Sequence, residues 1–323
     1  MPDAKVIFLH GLNQKILDLI TSYAPAGFDV VVINGEQSEQ KQIKAIKDVD
    51  FLMVYRAHLS DPVLRAATQL RLIQLLAAGH NHMNLKLMGE LGIPCASNGG
   101  ANAWAVADHT VLLILAIYRR LIPADRAVRE SRWRSPIDGF NTFELAKKTV
   151  GILGMGNIGQ KVVMRLQGFG VTIQYSDKYP LTQEKEQSLG VKQVTLEELF
   201  QSSDIITCHA PLTPETHHII NKKSLSLMKP TAILINTSRG SIVDELALVA
   251  ALQDRQIAGA GLDVFEMEPP VKNNVLLGME NVVLTAHNAG TTFDTWQRRA
   301  EFAYQNMQRV LDGQPPQAIA QNY

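Results

Sequence analysis

The chain has 323 residues, 46% of them hydrophobic and 19% charged, so it is long enough for two domains and has the composition of a folded globular protein rather than a disordered one. Its 31 basic and 31 acidic residues give a formal net charge of zero, which excludes the broad basic surface that nucleic-acid binding needs. One local basic run, from Arg119 to Arg134, is interrupted by Asp125 and Glu130 and indicates a solvated helix or a contact between subunits.

The first third of the chain alternates short apolar runs with segments of helical spacing, which predicts a small doubly wound α/β domain. A loop from Asn98 to Asn102 follows, and Asn102 is a good N-cap for a long helix predicted from Ala103 to about Arg120. We expect this helix to connect two domains. The predicted strands of the first domain are residues 6–9, 30–33, 51–54, 72–76 and 93–96.

From Val150 onward the alternation of strands and helices begins again, and six predicted strands are enough for a complete Rossmann sheet. A terminal helix is predicted from Asp294 to Leu311, where Gly313 and Pro315 end it. The six strands are residues 150–153, 171–175, 205–208, 232–235, 260–262 and 282–284.

A glycine-rich turn follows the first of these strands. Gly154 suits a tight turn, Gly156 lets the backbone approach a pyrophosphate, and Gly159 lets the following helix pack on the strand. Asp177 ends the next strand, 18 residues after Gly159, where a carboxylate binds the adenosine ribose and repels a 2′-phosphate. The pattern therefore predicts NAD(H) rather than NADP, although the cation of Lys178 acts against this preference. The expected cofactor contacts of the turn are Gly154, Met155, Gly156, Asn157, Ile158 and Gly159.

Three reactive side chains follow successive strands of the same predicted sheet, at its carboxyl edge, where open α/β sheets bind ligands. Arg239 is a fixed cation that can orient a substrate carboxylate and polarise a carbonyl. His287 is an acid/base group that titrates near neutrality, and Glu268 can hold its tautomer. These are the groups that hydride transfer between a nicotinamide and a 2-hydroxy acid requires, so we expect them to be catalytic.

Further candidates follow strands of the first domain, which we expect to face the second domain across a cleft. Tyr55 and Arg56 follow one strand, and Arg56 either holds an anionic or polar tail of the substrate or lies in a solvated loop. The backbone at Ala78 and Gly79 follows another strand. His80 and His82 permit a metal interpretation, but no cysteine or carboxylate cluster nearby completes a ligand set, so a substrate-loop or surface role is preferred and no metal is expected.

These motifs, together with the segment from His209 to Thr216, resemble the D-isomer-specific 2-hydroxyacid dehydrogenase family over nearly the whole chain. The resemblance implies a flavodoxin-like substrate domain, residues 1–101 and 291–323, into which a Rossmann NAD-binding domain, residues 102–290, is inserted. It also implies a small 2-keto or 2-hydroxy acid substrate, a homodimer built on the cofactor domains, and binding of the substrate carboxylate by Arg239 and the amides of Ala78 and Gly79. The other cofactor contacts it implies are His209, Ala210, Pro211, Thr216, Thr237, Ser238, Asp263, His287, Ala289 and Gly290.

Some positions depart from the family pattern. Ala286 stands where the family often has proline, and Asn81 stands where it often has aspartate, so the hinge and the substrate loop can differ. Formate dehydrogenases of this group have glutamine in place of Glu268, and phosphite dehydrogenases have lysine in place of Ala78, so the chain resembles neither. Trp133 is either a core aromatic or, as in some relatives, a residue that reaches the neighbouring active site.

Two functional classes share this scaffold. One is a dehydrogenase, in the manner of glyoxylate or hydroxypyruvate reductases or D-lactate dehydrogenases. The other is a non-enzymatic NAD(H)-sensing protein of the C-terminal-binding-protein type, which carries extended tails that are not seen in this sequence, so the enzyme is favoured.

Cys95 and Cys208 both lie in apolar runs, as reduced buried thiols do, and there is no secretory leader pattern or run long enough to span a membrane. We therefore expect a cytoplasmic protein that binds neither membrane nor nucleic acid. His109, beside Asp108 on the long helix, is expected to have a capping or packing role.

Overall fold

The computed structural model describes residues 3–133 and 139–320, and the chain divides into two compact units. The first unit comprises Met1–Asn102 and Thr291–Tyr323, and the inserted unit comprises Ala103–Gly290. Each unit contains a parallel sheet whose strands alternate with helices, which confirms the predicted α/β fold class. Arg134, the last residue of the basic run, lies outside the described residues.

The N-terminal segment of the first unit forms a five-stranded parallel sheet in the order β2-β1-β3-β4-β5, the order of flavodoxin-like folds. All five residues of β3 are buried, and they alternate between two apolar cores, one on each face of the sheet. The elements are β1 (Ala4–His10), α1 (Gln14–Ser22), β2 (Phe28–Asn34), α2 (Glu39–Ile46), β3 (Phe51–Tyr55), α3 (Asp61–Ala66), β4 (Leu72–Leu75), α4 (Leu85–Glu90) and β5 (Cys95–Ala96).

The inserted unit begins with two helices and continues as a sheet with its crossover helices. Its elements are α5 (Ala103–Tyr118), α6 (Leu121–Arg129), β6 (Thr149–Leu153), α7 (Asn157–Leu166), β7 (Thr172–Ser176), α8 (Gln183–Leu189), β8 (Val191–Gln193), α9 (Leu196–Ser202), β9 (Ile205–Cys208), α10 (Lys222–Leu227), β10 (Ile233–Asn236), α11 (Glu245–Gln253), β11 (Gly259–Leu262) and β12 (Val282–Leu284). Short 3₁₀ helices occur at Gln167–Phe169, Gly240–Ile242 and Val275–Gly278.

The inserted sheet is parallel and has the order β12-β11-β10-β9-β6-β7-β8, so it contains seven strands in the described residues where the sequence predicts six. The additional strand is β8, three residues long, of which Val191 is buried while Lys192 and Gln193 are exposed. Because only one of its residues is buried, β8 has no apolar run that a sequence pattern could reveal. Its hydrogen bonding to β7 is what defines it as a strand. The Rossmann order of β8-β7-β6-β9-β10-β11 is retained, with β12 at the far edge.

Helix α5 packs closely on the inserted sheet because β11 presents glycines to it. A Cβ atom added at Gly261 would lie 3.0 Å from Leu113 Cβ, and one added at Gly259 would lie 3.3 Å from Ile117 Cγ2. The helix ends at Tyr118, and Arg120 adopts a left-handed conformation (φ 48°) from which α6 starts in a new direction. None of the helices in residues 3–133 and 139–320 has the length and apolar content that crossing a bilayer requires.

The chain returns to the first unit in the long helix α12 (Phe293–Leu311), which starts one residue before the predicted position. Its apolar face packs on β1 and β3, and a buried polar contact fixes it across the sheet. Asn306 Nδ2 donates to Gln74 Oε1 at 2.7 Å, Asn306 Oδ1 accepts from Gln317 N at 2.7 Å, and Gln74 Nε2 donates to Ser97 O at 2.8 Å. Cys95 of the first unit and Cys208 of the inserted unit are both free thiols and buried.

The Asn306 contact generates a stability prediction. Replacing Asn306, which is 1% exposed, with alanine leaves Gln74 Oε1 buried without its donor, so Asn306→Ala should lower the free energy of unfolding by about 2 kcal/mol. Gln308→Ala is the matched control, because Gln308 lies on the same helix but is exposed, and its side chain donates a hydrogen bond to the exposed Asp312 carboxylate at 2.9 Å. Urea unfolding followed by circular dichroism measures both variants. Equal stabilities for the two variants would contradict the prediction.

Candidate active site

The glycine turn of the inserted unit is shaped by close backbone packing. Gly154 has a φ of +95°, and a Cβ atom there would lie 2.4 Å from Ala210 N. A Cβ atom at Gly159 would lie 2.3 Å from Gly154 O, so both positions require glycine. Gly156, the N-cap of α7, has open space where its Cβ atom would be. The open position is the one that the sequence analysis expects to face a pyrophosphate, at the N-terminus of a ten-residue helix.

Asp177, just beyond β7, is tied to this turn. Its Oδ2 atom accepts a hydrogen bond from Met155 N at 2.6 Å, and its Oδ1 atom accepts one from Tyr179 N at 2.8 Å. The carboxylate therefore holds the glycine turn against the end of β7. Each carboxylate oxygen can accept a further hydrogen bond, so binding to a ribose hydroxyl is compatible with both contacts.

The segment after β9 lies beside the glycine turn, through Ala210 and Gly154. His209 N donates to Leu153 O at 2.7 Å, and its Nε2 atom lies 2.8 Å from Thr207 Oγ1. Burial lowers the pKa of His209 to about 3, so this imidazole is neutral at physiological pH and has no acid/base role there. Thr216 Oγ1 donates to Pro211 O at 2.6 Å and closes the following turn.

Arg239 lies in a turn that Asn236 organises at the end of β10. Asn236 Nδ2 donates to Arg239 O at 2.9 Å, while Asn236 Oδ1 accepts from Ser238 N at 3.1 Å and from Ser238 Oγ at 2.9 Å. Burial lowers the pKa of the Arg239 guanidinium, and the charge of Glu268 opposes this effect. The group remains protonated because its ordinary pKa is so high. The sequence analysis did not identify Asn236 as a site residue, although Asn-Thr-Ser at the end of a strand is typical of such side-chain turns.

The loops that carry Arg239 and Glu268 are packed directly against each other. A Cβ atom at Gly240 would lie 1.9 Å from the carbonyl carbon of Phe265, so no residue larger than glycine fits between the loops. Phe265 N donates to Glu268 Oε1 at 3.1 Å, which orients the carboxylate. The backbone therefore sets the spacing of the cation and the carboxylate.

His287 and Glu268, which the sequence analysis expects to act as an acid/base pair, are in direct contact. Their Nδ1 and Oε2 atoms are 2.6 Å apart, and the side chains are 47% and 36% exposed, so a ligand can reach them. Burial raises the pKa of Glu268, but the hydrogen bond and charge of His287, with Phe265 N and Arg239, outweigh burial and hold it below its usual value. Because an ionised carboxylate only accepts, His287 donates from Nδ1, and Nε2 is left for a substrate.

The sequence analysis assigns Asp263 to the cofactor, whereas the structure shows it holding the His287 loop. Asp263 is 1% exposed, its Oδ1 atom accepts from Thr285 Oγ1 at 2.6 Å and Asn288 N at 3.0 Å, and its Oδ2 atom accepts from Ala289 N at 2.9 Å. Thr285 is a further residue that the sequence analysis missed. The only pointer to it in the sequence is its place at the end of β12, two residues before His287.

The candidates of the first unit follow neighbouring strands of their own sheet. Tyr55 ends β3 and is buried, and Arg56 has a φ of 52° with its guanidinium 5.5 Å from the centre of the Tyr55 ring. Ala78 and Gly79 lie in the loop after β4. Within the described part of the chain, no group of three or more His, Cys, Asp or Glu side chains is arranged to hold a metal ion, His80 and His82 included. The substrate-binding roles of these four candidates stay predictions.

The chain is similar to known proteins over most of its length. Residues 111–289, more than half of the chain, match the family model of the D-isomer specific 2-hydroxyacid dehydrogenase NAD binding domain. A glyoxylate reductase of Aeropyrum pernix is 41% identical over 324 residues, covering 98% of this chain and 95% of that protein.

Solved structures are similar over the same length. The NADPH-dependent glyoxylate/hydroxypyruvate reductase of Sinorhizobium meliloti, in complex with NADP and malonate, has a TM-score of 0.83 and 28% identity, covering 98% of this chain and 97% of that one. The D-lactate dehydrogenase of Escherichia coli has a TM-score of 0.83 and 27% identity, covering 98% and 100%. The resemblance seen in the sequence is thereby confirmed, and the chain belongs to the D-isomer specific 2-hydroxyacid dehydrogenase family of oxidoreductases.

Proposed function

We propose that the protein reduces glyoxylate or a similarly small 2-keto acid to the 2-hydroxy acid with a nicotinamide cofactor, with Arg239, Glu268 and His287 as its catalytic residues. The observation that carries this proposal is the 2.6 Å contact between His287 Nδ1 and Glu268 Oε2, next to a guanidinium whose pKa the Glu268 charge affects. The relatives named above are enzymes that act on such acids. They do not favour the non-enzymatic NAD(H)-sensing role.

The chain's own groups divide the work of the reaction. Arg239 binds the substrate carboxylate through its planar guanidinium and polarises the carbonyl oxygen. His287 gives a proton from Nε2 to that oxygen, and Glu268 stabilises the imidazolium that donates it. The bound cofactor supplies the hydride to the carbonyl carbon. In the reverse direction, neutral His287 accepts the hydroxyl proton.

Residues 102–290 fit a dinucleotide, since Gly156 leaves open space at the N-terminus of α7 and Asp177 retains acceptor capacity. We assign the cofactor to the predicted set: the turn from Gly154 to Gly159, Asp177, His209, Ala210, Pro211, Thr216, Thr237, Ser238, Asp263, His287, Ala289 and Gly290. NAD(H) is proposed over NADP, because the Asp177 carboxylate repels a 2′-phosphate. Asp263 is 1% exposed and bonds to the His287 loop, so its contribution to cofactor binding is made through that loop.

For the substrate we propose residues of the first unit, with residues 1–101 and 291–323 as the substrate domain. The amides at Ala78 and Gly79 bind the substrate carboxylate, and Tyr55 and Arg56 limit or recognise the group at C3. Arg56 is exposed, and Arg299 lies with its guanidinium 5.4 Å from the same Tyr55 ring, so this end of β3 carries positive charge. Such charge supports recognition of an anionic or polar tail.

We further propose a cytoplasmic homodimer built on the inserted unit. Helix α6 exposes the large apolar side chains of Leu121, Ile122 and Val128, and Trp133 and Phe140 are also exposed, with Phe140 86% exposed. Contiguous exposed apolar surface is typical of subunit contacts, so these residues are where we place the contact. The buried free thiols of Cys95 and Cys208 support a reducing compartment.

The proposed roles of His287 and Arg239 predict different kinetic defects. His287→Ala should lower kcat for glyoxylate about a hundredfold or more while NADH still binds, because only the proton donor is removed. Arg239→Lys should raise KM and lower kcat, because a point charge cannot reproduce the planar fork of the guanidinium. Loss of NADH absorbance with glyoxylate, hydroxypyruvate, pyruvate and bulkier keto acids measures both, and fluorescence titration measures NADH binding. A wild-type protein inactive on the whole panel would refute the proposed function.

The contact between Glu268 and His287 predicts a defect in turnover. Burial raises the pKa of Glu268, but the hydrogen bond and charge of His287 hold it below its usual value, so the ionised carboxylate stabilises the imidazolium that gives up the proton. Glu268→Gln removes this charge and should lower kcat for reduction about tenfold or more, while KM for NADH stays within about twofold. Glu266→Gln is the matched control, because Glu266 lies in the same loop but pairs with His218. A solvent isotope effect shows that proton transfer limits the rate, and an unchanged kcat in Glu268→Gln would remove Glu268 from the mechanism.

The proposed cofactor preference depends on Asp177. Wild-type kcat/KM should be higher with NADH than with NADPH, and Asp177→Ala should raise the relative value for NADPH about tenfold, equivalent to about 1.4 kcal/mol. Asp177→Asn removes the charge and retains an acceptor for Met155 N, so it separates the repulsion from the support of the glycine turn. Equal wild-type values for the two cofactors, or an unchanged ratio in both variants, would show that Asp177 does not select NAD(H).

A further inference from the structure

Helix α5 presents two adjacent polar side chains to two of the proposed catalytic loops. His109 Nε2 lies 2.9 Å from Thr285 Oγ1, in the loop that leads to His287. Thr110 Oγ1 lies 3.1 Å from Thr237 Oγ1, in the loop that leads to Arg239, and both threonines are buried. Asp108, the neighbour of His109 on the helix, pairs with Arg165 of α7. His109 therefore has a partner 176 residues away rather than beside it.

The proton on His109 can be located from its neighbours. Thr285 Oγ1 donates its single hydrogen to Asp263 Oδ1 at 2.6 Å, since an ionised carboxylate only accepts. The same hydroxyl must then accept from His109, so His109 carries a hydrogen on Nε2. Burial lowers the pKa of His109, and the charge of Asp263 acts in the opposite direction, so the imidazole is neutral at physiological pH. The result is a directed chain of hydrogen bonds, from His109 to Thr285 to Asp263.

The end of this chain is the backbone of the His287 loop. His287 has a left-handed conformation (φ 48°), which is unfavourable for a residue with a side chain. It is held by hydrogen bonds from His287 N to Asp263 O at 2.7 Å, from Asn288 N to Asp263 Oδ1 and from Ala289 N to Asp263 Oδ2. Asp263 fixes this strained turn, and Thr285 fixes Asp263 Oδ1. A group that donates a hydrogen bond to Thr285 Oγ1 therefore restricts the position of the His287 ring.

We propose that His109 is a positioning residue of the proposed reaction, which acts through Thr285 and Asp263 to hold His287 against Glu268. The inference rests on the proposed function only for its kinetic consequence, since the hydrogen-bond chain exists without substrate. His109 itself gives no proton to the substrate. Its Nε2–H group is committed to Thr285, and its side chain is 15% exposed.

The first experiment compares His109→Leu with His109→Gln. Leucine fills the space without a donor, whereas glutamine can place an N–H group near the position of Nε2. In His109→Leu, kcat for glyoxylate should fall about tenfold, as expected for the loss of one buried hydrogen bond of about 1.4 kcal/mol, while KM for NADH stays within about twofold. His109→Gln should recover most of kcat. Leu112→Ala, at an exposed position of α5, controls for changes in the helix itself and should retain wild-type kcat.

The second experiment needs no substrate. Amide hydrogen exchange at Asn288 and Ala289 should be faster in His109→Leu than in the wild type and in His109→Gln. If His109→Leu does not fold, the pair Thr285→Val and Thr285→Ser makes the same comparison at the next group of the chain, with valine expected to behave as His109→Leu and serine as the wild type. The proposal would be overturned if amide exchange and kcat in His109→Leu and Thr285→Val were the same as in the wild type. Equal losses of kcat in His109→Leu and His109→Gln would also overturn it. Wild-type protein inactive on every keto acid, with the exchange result as expected, would refute the proposed function alone.

Discussion

The proposed active site depends on the buried carboxylate of Asp263 at the end of β11. A buried charge is costly unless hydrogen bonds satisfy it, and here two backbone N–H groups and one hydroxyl do so. The same bonds that satisfy the charge fold the backbone around His287 into a left-handed turn that the chain would otherwise avoid. The three hydrogen bonds to Asp263 thus offset both the cost of burying its carboxylate and the backbone strain at His287.

The remaining geometry follows from the parallel sheet. Since β10, β11 and β12 are neighbours and run in the same direction, the loops at their carboxyl ends meet at one edge. Gly240 then brings the Arg239 loop into direct contact with the backbone at Phe265, so the spacing of the charged groups depends on backbone packing rather than on flexible side chains. Preorganisation of this kind reduces the reorganisation that a reaction would need.

The charges of the site balance one another. Burial disfavours the charged forms of both Arg239 and Glu268, and each is stabilised by the other. His287 adds a hydrogen bond and a charge to Glu268 but remains nearly half exposed. A partly buried cation beside an accessible imidazole and carboxylate suits the proposed reduction of a small anionic substrate. Fixed charge would hold the carboxylate of the substrate, and its carbonyl oxygen would reach a proton donor.

The sequence by itself determined most of the strands and helices, and the ends of strands at which we place the proposed chemistry. Apolar runs located the central strands because buried parallel strands need continuous hydrophobic residues, and the glycine turn with Asp177 was readable because its backbone demands are local. The positions of Arg239, Glu268 and His287 followed from the same map, since parallel strands bring their carboxyl ends together.

Only the tertiary structure decided the contacts between distant segments. The strand β8 lacks an apolar run and exists through its pairing with β7, so periodicity could not reveal it. Asp263 bonds to Thr285, 22 residues further along the chain, and His109 contacts Thr285 across 176 residues. No local pattern records such a contact, because a hydrogen bond between remote side chains depends on how helix and sheet pack, and that packing is decided by glycines of β11 that admit α5.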